Sequence, residues 1–491
     1  MKNKIIYYLF LILAICVTSC ELPDNVDPKY AQIVSSDALF TQVEIALVKQ
    51  VTSIDVNSNI SRLLVQYQSE VTYTTESRYN FSDRQIPDAF SGNIYRGVLM
   101  NLKDCKTKIS AKVLTPSYTL AQQNNELAIA NIWEIYAWQV LVDQFGDIPY
   151  SEALLSSVNS IPKYDDALTI YKDLITRLTA AIASIDVTSV GFDKADVLYE
   201  GDVVLWKEFA ASLKLRIALR LADVPAANSS TLVSEAVAAG VFADQSESAI
   251  FNFYGITPYV SPYYQAFVLD ARRDFCPTNT IVDLMYNLSD PRMPFFFTQV
   301  DTSTTEDVEK LAYKGLPYGK TGSSTYANYS HFTNAIRIDP KYPTILCDYV
   351  EVEFLLAEAA ERGLGGVTGA ETHYNNAILA SLKYWGVSDA DAAAYLAQPG
   401  VDYTSATGTY KQKIGTQKWL GLFDRGVEGW AEWRRLDFPV LNVPSGMTYS
   451  DIPVRMPYPF NENKTNKTNY DAASAAVGGD EATTKLFWDK F

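Results

Sequence analysis

The sequence predicts a mainly α-helical protein, in which paired helices form a scaffold and one long, irregular, loop-rich segment interrupts it. Three observations carry this. Apolar residues recur at helical spacing on both sides of the chain's middle. Between residues 251 and 349 that period fades, and Tyr, Phe, Pro, Ser and Thr dominate. Near the C-terminus Trp419, Trp430 and Trp433 gather beside Arg434 and Arg435.

In chain order, the first clear stripe runs over 128–145: Ile129, Ile132, Trp133, Tyr136, Val140 and Leu141 share one face of a helix. Gly146 is placed to cap it in the left-handed region, and Pro149 prevents its continuation. From Pro162 to Ile185, Asp165 and Asp166 favour a helix start, and Leu168, Tyr171, Leu174, Ile175, Leu178 and Ile182 form the stripe. After Gly201-Asp202, a third helix carries Trp206, Phe209, Leu213 and Ile217 on one side. Its Lys207, Lys214, Arg216 and Arg220 read as a solvated or salt-bridged face, with an acidic partner as the alternative. Helices return at 348–362, ended by Gly363, and at 370–384. Paired helices suggest tetratricopeptide-like packing, although no consensus repeat of about 34 residues is found. The tryptophans near the end each remove roughly 150–250 Å² from water when buried. They read as core with the arginines capping or salt-bridging, and an aromatic ligand cage is the other reading.

At 491 residues and 48% hydrophobic, the chain has ample material for a large core. With 57 acidic against 41 basic residues the net charge is −16, and no basic stripe appears. Nucleic acid is excluded as a partner, because phosphate binding rests on clustered Lys and Arg. Lys2 and Lys4 precede an uncharged, mostly apolar run from Ile5 to Val17. That is a secretory leader, too short to span a bilayer, which needs about 20 residues. Val17-Thr18-Ser19-Cys20 resembles the bacterial lipoprotein box, which predicts a leader over 1–19 and lipidation of Cys20. Residues 20–36, acidic and proline-containing, read as a tether, and 37–491 as one domain. Cys105, Cys276 and Cys347 read as buried thiols, with one disulfide plus a free thiol as the alternative.

Several segments carry a family resemblance. T-Q-K-W (Thr416 to Trp419), E-G-W-A-E-W-R-R (Glu428 to Arg435) and Pro439 resemble the C-terminal signature of SusD/RagB-like proteins, nutrient-binding outer-membrane lipoproteins of Bacteroidetes, in their second, SusD-like branch. Y-A-W-Q-V-L-V-D-Q-F-G-D-I-P-Y, W-K-E-F-A-A-S-L-K-L-R-I-A-L-R, F-L-L-A-E-A-A-E-R-G and A-I-L-A-S-L-K-Y-W-G-V are similar to other family segments. The resemblance implies a lipid-anchored protein on the outer membrane, facing the exterior. It would capture glycans or oligosaccharides and pass them to a SusC-like TonB-dependent transporter. A peptide-binding, RagB-like version is the nearest rival, and a lipid-anchored glycosidase or protein scaffold is the next.

Sugars suit aromatic platforms with polar edges, and tyrosine on a held loop offers both. Tyr254, Tyr259, Tyr263 and Tyr264 lie in a proline-rich loop and are candidate ligand contacts. The family also places contacts on a loop early in the chain, which implies the Tyr79 to Tyr95 neighbourhood, with Arg84, Phe90 and Asn93. Enzyme chemistry lacks parts. Two histidines, His331 and His373, cannot build multi-histidine zinc sites. Gly315 to Thr321 and Gly363 to Gly369 miss the phosphate-loop and dinucleotide spacings. The expectation is a binding protein without a catalytic residue or cofactor; a calcium ion in the Asn- and Asp-rich 461–471 segment is the open alternative.

Overall fold

The computed structural model describes residues 34–155, 158–300 and 313–490. The leader, Cys20 and most of the tether lie outside the described residues. The first helix, α1 (Ser36–Thr52), starts where the Ser35 hydroxyl accepts from the Ala38 amide at 3.1 Å. Helix α2 (Ile86–Ile94) passes through a π-helical turn, Tyr95–Leu99, into α3 (Met100–Ala111). Then come α4 (Leu120–Phe145), α5 (Ala167–Ser184), α6 (Val203–Arg220) and α7 (Ser229–Ala239). After the middle segment follow α8 (Tyr349–Glu361), α9 (Ala370–Tyr384), α10 (Tyr410–Gly421) and α11 (Gly426–Leu436). Successive helices pack on one another as α4–α5, α6–α7, α8–α9 and α10–α11, and α5 packs on α6. This is the expected tetratricopeptide-like, mainly α architecture.

The caps explain the boundaries. Asp166 accepts from the Thr169 amide, Asp202 from Val204 and Leu205, and Asp348 from Glu351, each satisfying donors that a helix start leaves open. Helix α4 starts eight residues earlier than the apolar stripe indicates, because Thr119 caps a more polar first turn. Gly146 ends it as expected of glycine, but with φ 84° and ψ −120°, outside the left-handed helical region. A Cβ there would meet Leu486 Cδ2 at 2.8 Å, so the closing segment of the chain seals this corner.

The middle segment is bound to the scaffold by short antiparallel ladders. Strand β1 (Gln68–Glu70) pairs with β5 (Phe275–Pro277), and β4 (Ala249–Phe251) with β6 (Thr344–Cys347). A third ladder joins β2 (Ile148–Pro149) to β3 (Tyr164–Asp165). One apolar core runs from Leu39 to Trp488. The tryptophans bind distant segments into it: indole N–H groups donate from Trp133 to Val43 O, Trp419 to Val65 O and Trp430 to Pro453 O, at 3.1–3.2 Å. Trp433 is only half-buried, donating to Pro439 O. Core is thus the outcome for these tryptophans. Cys105, Cys276 and Cys347 are all free and buried.

Of the two readings of the basic residues of α6, the salt-bridged one is the outcome for Lys214, Arg216 and Arg220, which are buried, and only Lys207 stays half-buried towards solvent. Arg216 pairs with Glu351 at 2.6 Å, and Arg220 with Glu428 and Glu432 at 2.6 and 2.5 Å. Lys418 reaches Glu432 at 2.6 Å, and Arg435 bridges Glu358 and Glu432 at 2.5 and 2.6 Å. The signature stretch is therefore the hub of an ionic network joining α6, α8, α10 and α11. Burial pushes the Glu432 carboxyl up, but Arg435, Lys418 and Arg220 together outweigh it and hold it well below the usual carboxylate range.

Glu70, at the end of β1, behaves in the opposite way. Its carboxylate accepts from the Ser77 amide and hydroxyl at 3.1 Å, yet burial, then the nearby Glu76 charge, pushes it from 4.5 up to about 8. The folded state therefore keeps a proton that the unfolded chain releases, so this group's contribution to stability falls as pH rises from 4.5 to about 8. Glu70→Gln retains an acceptor for Ser77 and removes the linkage. Its melting temperature is expected to rise relative to wild type between pH 5 and 8; a constant difference across that window would contradict the assignment.

Candidate functional site

Three adjoining clefts form one run across a face of the protein. The first, about 520 Å³, lies between α2, the β2–β3 corner and the 458–462 segment. The second, about 530 Å³, lies between α1 and the π-helical turn after α2. The third, about 500 Å³, lies between the end of α1 and the 258–272 loop. Gly92 and Arg96 line both the first and the second, and Lys49 and Ser53 both the second and the third. The first cleft's lining is mixed aromatic and polar, as an oriented ligand site requires, and the second and third are lined by polar and aliphatic residues.

In the first cleft Tyr95 and Tyr164 form half-buried aromatic walls. The Tyr95 hydroxyl donates to Pro149 O at 2.6 Å and the Tyr164 hydroxyl to Glu462 Oε2 at 3.2 Å, which fixes both rings. In the second, Asn93 Nδ2 donates to Gln50 Oε1 at 2.8 Å. In the third, Lys49 Nζ donates to Pro258 O at 2.6 Å and lies 5.5 Å from the Tyr259 ring centre. Arg84 joins the first cleft to the third, pairing with Glu76 at 2.5 Å and donating to Asn57 Oδ1 at 2.9 Å. A second π-helical turn, Gln265–Leu269, supplies Gln265 and Ala266 to the third cleft. Turns of this kind widen a helix by one residue and often mark functional sites.

The predicted contacts divide. Arg84 and Asn93 line the run, and Tyr254 and Tyr259, outside its lining, form an exposed T-shaped pair 6.0 Å apart, 50% and 43% exposed, that reaches the third cleft through Lys49 beside the Tyr259 ring. Phe90 and Tyr263 do not. Phe90 is 0% exposed and packs edge-on to Phe145; Tyr263 is 2% exposed, its hydroxyl donating to Asp424 at 2.5 Å. Both are core residues, a correction that follows from their positions on inward faces of helical turns. Tyr264 is half-buried and outside the clefts' lining. Lys49, Arg96 and Tyr164 were not among the expected contacts, and Tyr95 stands at the edge of the expected 79–95 neighbourhood. The only signal for Arg96 was its placement between Gly92 and Gly97. The 461–471 segment forms two helical pieces, with Asp471 paired to Lys467 at 2.8 Å. Among the described residues no cluster of three or more His, Cys, Asp or Glu side chains is placed to hold a metal.

The model of the SusD-like family described as "Starch-binding associating with outer membrane" matches residues 28–459. The chain belongs to this SusD-like family. Comparison with curated proteins finds no match. Among solved structures, this SusD-like chain resembles a chitin-binding protein at 25% identity and TM-score 0.79, over 93% of this chain and 100% of that one. A SusD homologue from Bacteroides uniformis matches at 24% identity and TM-score 0.76, over 92% and 99%. A chitin-binding SusD homologue from Flavobacterium johnsoniae matches at 24% and 0.74, over 92% and 97%. The SusD-like fold is therefore the helical scaffold with its bound middle segment. Among the described residues no helix is long and apolar enough to cross a membrane.

Proposed function

We propose that this protein is a surface-exposed outer-membrane lipoprotein, anchored through Cys20, that captures a glycan or oligosaccharide along the three-cleft run. It passes the ligand to a SusC-like TonB-dependent transporter and breaks no bond. The observation that carries the reading is the continuity of the run. About 1,500 Å³ of linked cleft, with Tyr95 and Tyr164 walling the first part and the Tyr259 ring beside Lys49 next to the third, fits an extended chain of sugars rather than one small molecule. The family description, which names starch binding and the outer membrane, and the likeness to a chitin-binding protein support a glycan.

One experiment tests both location and ligand. Wild type is expected in the membrane fraction, and Cys20→Ser in the soluble fraction. Purified protein is then melted against panels of neutral and charged oligosaccharides and of oligopeptides. A ligand at a hundred times its Kd raises stability by about 2.7 kcal/mol. A shift with oligosaccharides is expected. A shift with peptides alone would overturn the glycan reading in favour of peptide capture, and release of reducing sugar during incubation would overturn the non-enzymatic one.

A further inference from the structure

Arg96 separates itself from every other cation on the cleft run. Arg84 is held by Glu76 and Asn57, and Arg272 by Asp274 at 2.5 Å. Arg96 is exposed and has no hydrogen-bond or ion-pair partner among the described residues. It is nevertheless placed: its guanidinium lies against α2, where a Cβ on Gly92 would come within 2.7 Å of Nη2 and 3.0 Å of Cζ. Glycine at 92 leaves the space that the guanidinium crosses. The π-helical turn that begins at Tyr95 carries Arg96 at the seam between the first and second clefts.

The second cleft is also singular in charge. Its lining holds Lys49 and Arg96 and no carboxylate, in a chain with a net charge of −16. Gln50, Ser53, Ser58 and Asn93 supply the remaining polar groups. In the first cleft the carboxylates facing Arg96 are already engaged: Asp88 accepts from the Phe460 and Asn461 amides, and Glu462 from Tyr164 and Asn466. Burial lowers the Lys49 ammonium below its ordinary range, so this cation is partly desolvated and gains from an anion brought beside it.

We propose that the Arg96–Lys49 cleft is a subsite for an anionic substituent on the captured glycan, a carboxylate or a sulfate ester, which Arg96 grips with its planar fork of donors. A guanidinium matches both groups through paired N–H bonds, and Lys49 adds a second positive charge. This rests on the glycan reading above and deepens it from glycans in general to acidic ones.

The test is isothermal titration of the full-length protein in detergent with three probes: oligogalacturonides, the same oligomers after carboxyl reduction, and sulfated galactan oligosaccharides. At least one anionic probe is expected to bind ten-fold or more tightly than the reduced oligomer, with the preference shrinking as NaCl rises. The carboxylated and sulfated arms tell which anion is favoured. Arg96→Gln is expected to remove the preference, so that anionic and neutral oligomers bind this variant alike. Gly92→Ala, which keeps the charge but displaces the guanidinium, is expected to weaken the preference while α2 stays folded by circular dichroism. Equal binding of neutral and anionic oligomers, or a preference that survives Arg96→Gln, overturns the anionic subsite and leaves the glycan reading standing. Binding of acidic peptides with no oligosaccharide overturns both.

Discussion

Glu432→Gln is expected to destabilise the protein by about 3–5 kcal/mol, the range for breaking a buried ion pair by removing one partner. Glu432 is 3% exposed and accepts from Arg220, Lys418 and Arg435, at 2.5–2.6 Å. Its loss is uneven among them. Arg220 keeps Glu428, and Arg435 keeps Glu358, but Glu432 is the carboxylate that pairs with the buried Lys418. The cost therefore falls mainly on an ammonium left in the core without a counter-charge. Adding Lys418→Met should recover a large part of the loss, since an apolar side chain of similar length needs no partner. Thermal melts of the single and double variants, with exposed Glu371→Gln as the control, decide it. A Glu432→Gln melt that matches the control, or no recovery on adding Lys418→Met, would show that the network does not hold the helices as described.

The scaffold was legible because helices signal themselves locally. The stripe from Ile129 to Leu141, the caps Asp166 and Asp202 and the terminator Gly363 are read within a few residues of one another. Helices α8 and α9 fall within one residue of their expected limits for that reason. The ionic network was not legible, because Arg216 meets Glu351 135 residues away and Arg220 meets Glu432 212 residues away. In one dimension Lys214, Arg216 and Arg220 have the spacing of a wet face. The clefts failed for the same reason in part. Arg84, Asn93 and the 254–259 tyrosines were found by loop membership and side-chain chemistry, and the same criterion drew in Phe90 and Tyr263. Loop membership says nothing of which way a ring turns, and on a one-turn helix such as Pro262–Tyr264 adjacent tyrosines face opposite environments. Lys49 sits in α1, and only its contact with Pro258, 209 residues on, makes it part of a site.

That division sets the second large effect, which separates binding from folding. The double variant Tyr254→Ala/Tyr259→Ala is expected to weaken the best-binding oligosaccharide by about ten-fold or more, an effect of about 1.4 kcal/mol at least. The two rings keep half their surface in water and form an edge-to-face platform, and Ile256 at 71% exposed extends their apolar tip. At about 25 cal/mol per Å² of apolar surface covered, two tyrosine faces under a sugar supply an effect of that size. Removing Tyr259 also strips Lys49 of its aromatic neighbour and frees the 258 carbonyl contact to move, so the loss spreads into the second cleft. Stability should hardly change, because exposed rings contribute little to the core. Phe90→Ala and Tyr263→Phe should behave in the opposite way. The first empties a fully buried ring site and costs about 3–5 kcal/mol. The second leaves Asp424, which also pairs with Arg62 at 2.7 Å, without its hydroxyl donor. Both should lower the melting temperature and leave oligosaccharide affinity, measured well below that temperature, within about two-fold, a difference of about 0.4 kcal/mol. If the tyrosine pair can be removed without loss of affinity while Tyr263→Phe or Phe90→Ala reduces it, the ligand lies on the other side of the loop and the three-cleft run is not its site.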